Sequence, residues 1–160
     1  MDKLLPPRSY GVVPLETIRA MSGLALMRAI RDRELPAAPI SQALEFHLDT
    51  VEPGFVVFVG HPNLSHYNPI GSVHGGYAGT LLDSCMSCAV QTTLEAGQGY
   101  TTLEYKVHLV RPILADTGRV RAEGRLIHPG RRAATAEGRI LDEKGRVLAH
   151  GTTTCLIFPL

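Results

Sequence analysis

The sequence predicts an α+β protein, in which a curved antiparallel β-sheet wraps around one long central helix. Three observations lead to this prediction. Residues 77–96 are apolar or small almost throughout, which is typical of a helix buried on most of its circumference. Residues 101–158 change to the alternating pattern of β-strands, with short turns between them. The 160 residues contain no internal repeat and no shift in composition, so we expect a single domain over 1–160.

An N-terminal extension, residues 1–40, precedes the sheet. Residues 1–14 are irregular and rich in proline, and apolar residues then recur at helical spacing. This spacing predicts an extra helix over about 15–35, although Gly23 weakens it. Pro36 and Pro39 end the helix, because proline lacks the backbone N–H that a helix needs.

Six strands are expected. The first two, 43–51 and 55–60, flank the turn-forming Glu52-Pro53-Gly54. After the central helix, which Gly97 and Gly99 end, the alternation predicts strands at 101–109, 118–128, 131–141 and 147–158. In the first of these four, odd-numbered residues lie on one face and even-numbered residues, including Thr102, on the other.

Composition excludes several classes of function. The formal net charge of +1 gives no reason to expect nucleic acid or an anionic membrane as a partner. The N-terminus lacks the apolar segment of a secretory signal, and no run reaches the roughly 18 apolar residues that span a bilayer. Three cysteines do not form a disulfide framework, so we expect a cytoplasmic protein. The histidines show no metal-ligand spacing, and we expect no metal site.

The pair Cys85 and Cys88 has the spacing of a redox motif. It lies inside the predicted helix, however, and not at a helix N-terminus, where a thiol pKa is lowered. We interpret these cysteines as small buried residues.

Two features of the central helix indicate a reactive site, because neither is usual in a buried helix: the glycines before it and an acidic residue within it. Gly75 and Gly76 precede the central helix, where free N–H groups bind an anion or an oxygen that becomes negative during a reaction. The alternative is that they only turn the chain into the helix. Asp83 lies in mid-helix among apolar residues, an unfavourable place for a carboxylate. The residues alone leave open whether it is catalytic or a structural acid bonded to a strand.

The spacing of these groups has a consequence for assembly. Asp83 follows Gly76 by two helical turns, so roughly 10 Å separate them along the helix. One substrate carbonyl cannot contact both. If both act on it, they come from different subunits, and a twofold dimer would create two equivalent sites.

The motif Asn68-Pro69-Ile70-Gly71-Ser72-Val73-His74-Gly75-Gly76, followed seven residues later by Asp83, resembles the thioesterases of the phenylacetate-pathway type within the hotdog superfamily. The resemblance covers about 20–158 and includes later segments at 101–104, 110–112, 116–118, 130–132 and 149–150. It implies a sheet around a long helix, active sites between subunits, and homodimers that usually pair into homotetramers.

The resemblance also implies an acyl-CoA thioesterase and the roles of its residues. Gly75 would supply the N–H that polarises the thioester carbonyl, with Gly76 beside it. His74 and Asn68 would shape that end of the site. From the other subunit, Asp83 would act as nucleophile or as base for a water molecule.

Thr102 matches the position where relatives orient the water or the carboxylate. Thr101 is the alternative, because an alignment shift of one residue exchanges the two. Coenzyme A is part of the substrate, so no separate cofactor is implied. Arg131 and Arg132 are candidates for binding its phosphates, and exposed turn residues are the other interpretation.

Several points stay open at this stage. The acyl group could be aryl or a medium-chain fatty acid, and three residues could line its pocket or belong to the core: Tyr77, Leu81 and Met86. The N-terminal helix could pack over the sheet edge or line the acyl channel. Two other functions are a non-catalytic acyl-CoA-binding module and a hydratase or dehydratase, although the sequence lacks the His-Phe-x-Gly-type loop of the latter.

Overall fold

The computed structural model describes residues 8–160. Its elements are, in order, α1 (Leu15–Ala20), α2 (Gly23–Arg31), α3 (Pro39–Ala43), β1 (Phe46–Glu52), β2 (Phe55–Gly60), α4 (Gly75–Gln91), β3 (Gln98–Leu109), β4 (Val120–His128), β5 (Ala133–Leu141) and β6 (Val147–Pro159). The six strands form one antiparallel sheet in the order β1-β2-β4-β5-β6-β3. The sheet curves around α4, which contacts every strand from β2 to β6. The predicted fold class is confirmed.

Helix α4 lies against the sheet at very short range. A Cβ on Gly124 of β4 would overlap the carbonyl oxygen of Cys85, so only glycine permits this approach. The helix begins two residues before the predicted start because the His74 side chain caps it, accepting the Gly76 N–H at 2.8 Å. It ends at Gln91, before the predicted end at 96.

The prediction of one helix over 15–35 is wrong, because the chain breaks between α1 and α2. Ser22 is extended, and its hydroxyl caps α2 by accepting the Ala25 N–H at 3.3 Å. Gly23 then donates its N–H to the Leu94 carbonyl at 2.9 Å, and a Cβ there would overlap the Gln91 carbonyl oxygen. The break therefore attaches the extension to the C-terminal end of α4. From there α2 packs on β1.

Several strand boundaries also differ from the prediction. β3 begins at Gln98 and not at 101, and β4 begins at Val120 and not at 118. β1 begins at Phe46 and not at 43, because the short helix α3 precedes it and Glu45 has a positive φ of 50°. β5 begins at Ala133 and not at 131.

A β-bulge at Leu103 corrects the predicted faces of β3. Thr102 pairs with Cys155 and Glu104 with Thr154, so Leu103 is an extra residue in the strand. Before the bulge, the even-numbered residue Thr102 faces α4, where it bonds to Asp83. After the bulge, odd-numbered residues face the helix. The prediction that Thr102 shares a face with the later even-numbered residues is wrong, since the bulge reverses the alternation.

Candidate functional site

The N-terminal end of α4 presents a free amide. The Gly76 N–H is taken up by His74 Nδ1 at 2.8 Å, and the Tyr77 N–H donates to the His74 carbonyl at 2.9 Å. Among residues 8–160, the Gly75 N–H has no acceptor. Gly75 lines a surface recess of about 270 Å³ whose walls also include Asn68, His74, Leu109 and Arg111. This amide carries the partial positive charge of a helix N-terminus.

Asn68 shapes the loop before the helix. Its Oδ1 accepts the N–H groups of Ile70 at 3.1 Å and Ser72 at 3.2 Å, while its Nδ2 donates to Ser72 Oγ at 3.0 Å. The side chain thereby closes the turn that delivers Val73 and His74 to the start of α4.

Asp83 lies two turns into α4, on a half-exposed stripe of an otherwise buried helix. Thr102 Oγ1 donates a hydrogen bond to Asp83 Oδ1 at 2.9 Å. Thr101 is exposed and lies between two residues that face the helix, so it points away from Asp83. Of the two threonines, the structure brings Thr102 to the carboxylate.

The groups beside Asp83 are poor nucleophiles. Burial raises the pKa of Cys88 to about 12 and the pKa of Cys85 well above its usual value. Burial also raises the pKa of Tyr100, whose hydroxyl donates to Ser87 Oγ at 3.2 Å. These thiols therefore stay protonated at neutral pH, as expected for small buried residues and not for a redox pair.

Residues 70–149, half of the chain, match the family model of the thioesterase superfamily. The chain belongs to this superfamily. A curated relative, the proofreading thioesterase EntH of Klebsiella pneumoniae, is 35% identical over 80 residues, which are 50% of this chain and 57% of EntH. The match thus spans little more than half the length of that relative.

Solved structures agree with this membership in the thioesterase superfamily. A putative thioesterase of Ralstonia eutropha, described as phenylacetic acid degradation-related, is 26% identical and has a TM-score of 0.72 over 84% of this chain and 98% of that one. The E. coli PaaI protein from the phenylacetic acid degradation operon has a TM-score of 0.73 over 87% of this chain and 96% of its own at 19% identity, which shows the fold alone. The predicted family and hotdog fold are confirmed.

The residues predicted to bind the phosphates of coenzyme A, and those considered for the acyl pocket, do not lie at the Gly75 amide. Arg131 and Arg132 are exposed beside a recess of about 410 Å³ that Gln98 also lines. Gly75 lies at Leu109, the other end of β3. The three residues considered for the acyl pocket are core residues, 0–3% exposed: Tyr77, Leu81 and Met86.

Sequence reasoning missed two residues outside the motif that support the candidate site. Leu109 lies against Gly75: a Cβ added to Gly75 would be 2.9 Å from Leu109 Cδ1. His66 accepts the His74 N–H through its carbonyl at 2.8 Å. His66 lies two residues before the motif in the sequence. Its closeness in sequence to Gly75 and Gly76 is the only signal that could have identified it.

Within residues 8–160 no group of three or more metal-ligating side chains occurs, and no helix is long and apolar enough to cross a membrane.

Proposed function

We propose that the protein is an acyl-CoA thioesterase that hydrolyses an aryl- or medium-chain acyl-CoA to the free acid and coenzyme A. The observation that carries this proposal is the Asp83–Thr102 pair. Within residues 8–160, Asp83 forms no salt bridge and accepts one hydrogen bond, from Thr102. A partly buried carboxylate that is oriented by one donor keeps lone pairs available for a substrate or a water molecule.

The complete site requires a second copy of the chain. Gly75 and Asp83 are eight residues apart on α4, roughly 12 Å, so one carbonyl cannot reach both in one subunit. β3 is an edge strand that leaves three large apolar residues exposed, Leu103, Tyr105 and Leu109, and Val110 directly after it is also exposed. An edge of this kind is suited to pairing with another chain. We infer a homodimer formed through this edge, or a dimer of dimers built on it.

Antiparallel pairing of two β3 strands would also assemble the site. Gly75 lies near Leu109 at one end of β3, and Asp83 lies near Thr102 towards the other end. Twofold symmetry brings the Leu109 end of one strand to the Thr102 end of its partner. Each Gly75 amide would thereby meet an Asp83 carboxylate of the other subunit. Arg131 and Arg132 lie at the Thr102 end and are available for the phosphates of coenzyme A.

Two reaction routes are compatible with these groups. In the first, an Asp83 oxygen attacks the thioester carbon, the C–S bond breaks, and water hydrolyses the resulting anhydride. In the second, Asp83 takes a proton from a water molecule that attacks the carbon directly, the C–S bond breaks, and the proton passes to the leaving sulfur of coenzyme A. In both routes the carbonyl oxygen becomes negative, and the Gly75 N–H of the other subunit stabilises it.

Thiol release from a panel of aryl- and fatty-acyl-CoA thioesters tests this function. We expect turnover by the wild type and none that is measurable above background by Asp83→Asn with the same circular dichroism spectrum. The ranking of the panel would name the acyl class. If acyl-CoA binds but no thioester is cleaved, the protein is an acyl-CoA-binding module and the proposal is wrong.

Mixing two inactive variants tests the shared site. Gly75→Pro removes the amide N–H but suits the first helical position, because His74 already has the extended conformation (φ −59°, ψ 138°) that precedes proline. Refolded together in equal amounts, Gly75→Pro and Asp83→Asn should recover about a quarter of the wild-type activity, since half of the dimers are mixed and each has one intact site. Gly75→Ala is the matched control, because it adds a side chain and keeps the N–H. No recovery on mixing would place both groups in one subunit.

A further inference from the structure

A short 3-10 turn, Leu64–His66, lies beneath the loop that leads into α4. His66 is buried, with 6% of its surface exposed. Its Nδ1 accepts the backbone N–H of Asn63 at 3.2 Å, and Asn63 Oδ1 accepts the Ser65 N–H at 2.9 Å. These reciprocal bonds close the turn in the manner of a capping box.

His66 also holds the chain on both sides of Gly75. Its carbonyl accepts the N–H of His74, the residue before Gly75, at 2.8 Å. Its ring stacks on the ring of Tyr77, two residues after Gly75, with centroids 4.8 Å apart and planes at 25°. One buried residue therefore holds the start of α4, through its backbone carbonyl on one side of Gly75 and its ring on the other.

The hydrogen bond to Nδ1 shows which atom of the His66 side chain phenylalanine could not replace. Because Nδ1 accepts a hydrogen bond, the neutral ring carries its proton on Nε2. Nε2 is buried and has no partner among residues 8–160. A buried donor without a partner costs free energy, and a phenyl ring would stack on Tyr77 without that cost. The feature that histidine provides and phenylalanine lacks is the acceptor Nδ1.

We propose that His66 is a positioning residue for the oxyanion donor: its Nδ1 locks the 3-10 turn, whose carbonyl in turn fixes His74 and directs the Gly75 N–H. This inference rests on the proposed thioesterase function. His66 does not contact the substrate. It acts on the geometry of the amide, where a displacement of about 1 Å can cost on the order of 10²-fold in rate.

Two substitutions separate the acceptor from the ring. His66→Phe keeps an aromatic ring against Tyr77 and removes the acceptor. His66→Asn removes the ring and places an amide oxygen where Nδ1 accepts its bond. We expect kcat to fall by about 10- to 100-fold in His66→Phe with KM within about threefold of wild type, and His66→Asn to restore kcat to within about fivefold.

A second readout does not depend on turnover. Hydrogen exchange of the His74 amide, which donates to the His66 carbonyl, should accelerate in His66→Phe and stay near the wild-type rate in His66→Asn when followed by NMR. The proposal is overturned if His66→Phe keeps wild-type kcat and exchange, or if His66→Asn loses as much as His66→Phe, because the acceptor alone would then not account for the role of His66. An inactive wild type would instead contradict the thioesterase proposal, and the exchange comparison would still decide the positioning of the amide.

Discussion

Two aspartates that are both partly or wholly shielded from solvent have opposite surroundings. Asp142, in the turn between β5 and β6, accepts the backbone N–H groups of Lys144 at 3.0 Å and Arg146 at 2.8 Å, and Arg146 Nε at 2.6 Å. Asp83 accepts one hydrogen bond, from Thr102. A carboxylate saturated by its own turn stabilises that turn, whereas one held by a single hydroxyl remains available to a reacting molecule. Hydrogen bonding thus distinguishes the structural Asp142 from Asp83, the proposed catalytic acid, better than burial does.

The largest expected effect that tests this comparison is on activity. Asp83→Asn should lower kcat/KM by on the order of 10³-fold or more, because an amide is neither a nucleophile nor a base. Its urea midpoint should equal that of the wild type, since the amide oxygen still accepts the Thr102 hydroxyl. Thioester hydrolysis and urea unfolding, measured on the same preparation, check both parts. A large fall in the midpoint would make Asp83 structural and remove the distinction.

The single hydrogen bond to Asp83 can be removed alone. Thr102→Val has nearly the same shape and lacks the hydroxyl, so kcat should fall by about 10- to 100-fold through loss of carboxylate orientation. Thr102→Ser should stay within about threefold of wild type, and Thr101→Val, which alters the face turned away from α4, should behave likewise. Steady-state kinetics of the three variants decide this. If Thr101→Val is the impaired variant, Thr101 and not Thr102 faces Asp83, and the register of β3 is shifted by one residue.

The smallest effect on activity and a clear effect on stability are expected for Asp142→Asn. Kinetic constants should not change, but the urea midpoint at pH 7 should be lower, because the charged bond from Arg146 is lost. Thioester hydrolysis and urea unfolding, measured on the same preparation, test whether the kinetic constants are unchanged and the urea midpoint is lower.

The loss of stability in Asp142→Asn should depend on pH. Burial raises the pKa of Asp142, but hydrogen bonds from Arg146 and Lys144 outweigh it, and the net pKa is lowered below its ordinary value. A lowered folded pKa contributes stability above the unfolded pKa of about 3.9, and this contribution is lost as pH falls through the folded value. The gap in midpoint between wild type and Asp142→Asn should therefore shrink below about pH 4. A gap that stays constant to pH 2.5 would contradict this assignment.

The sequence predicts what is local and strongly patterned. The central helix, the six strands and the exceptional position of Asp83 could all be deduced from periodicity and from a charge in an apolar segment. The bulge at Leu103 could not, because the alternation of polar and apolar residues continues unbroken through it. Pairing with β6 determines the bulge, and this tertiary contact gives Thr102 its face.

The break between α1 and α2 was hidden for a similar reason. Gly23 only weakens a helical pattern in the sequence, but in the fold it is the residue that fits against the Gln91 carbonyl at the end of α4. His66 shows the same limit at the site. No short-range pattern indicates that its ring lies on Tyr77, since that contact depends on how the loop folds back over the helix.

The two edge strands of the sheet, β1 and β3, differ in how accessible they are to another chain, and this difference affects how the protein aggregates. β1 has seven residues, is interrupted by a bulge at the exposed Asp49, and is packed by α2. β3 has twelve residues, six of them regular after its bulge. Once two β3 strands have paired, only the short, charged β1 edges remain, and such edges do not template further strands. In the proposed homodimer, growth by strand addition would therefore stop at two copies, and the exposed apolar edge would lead to a closed particle instead of a fibril.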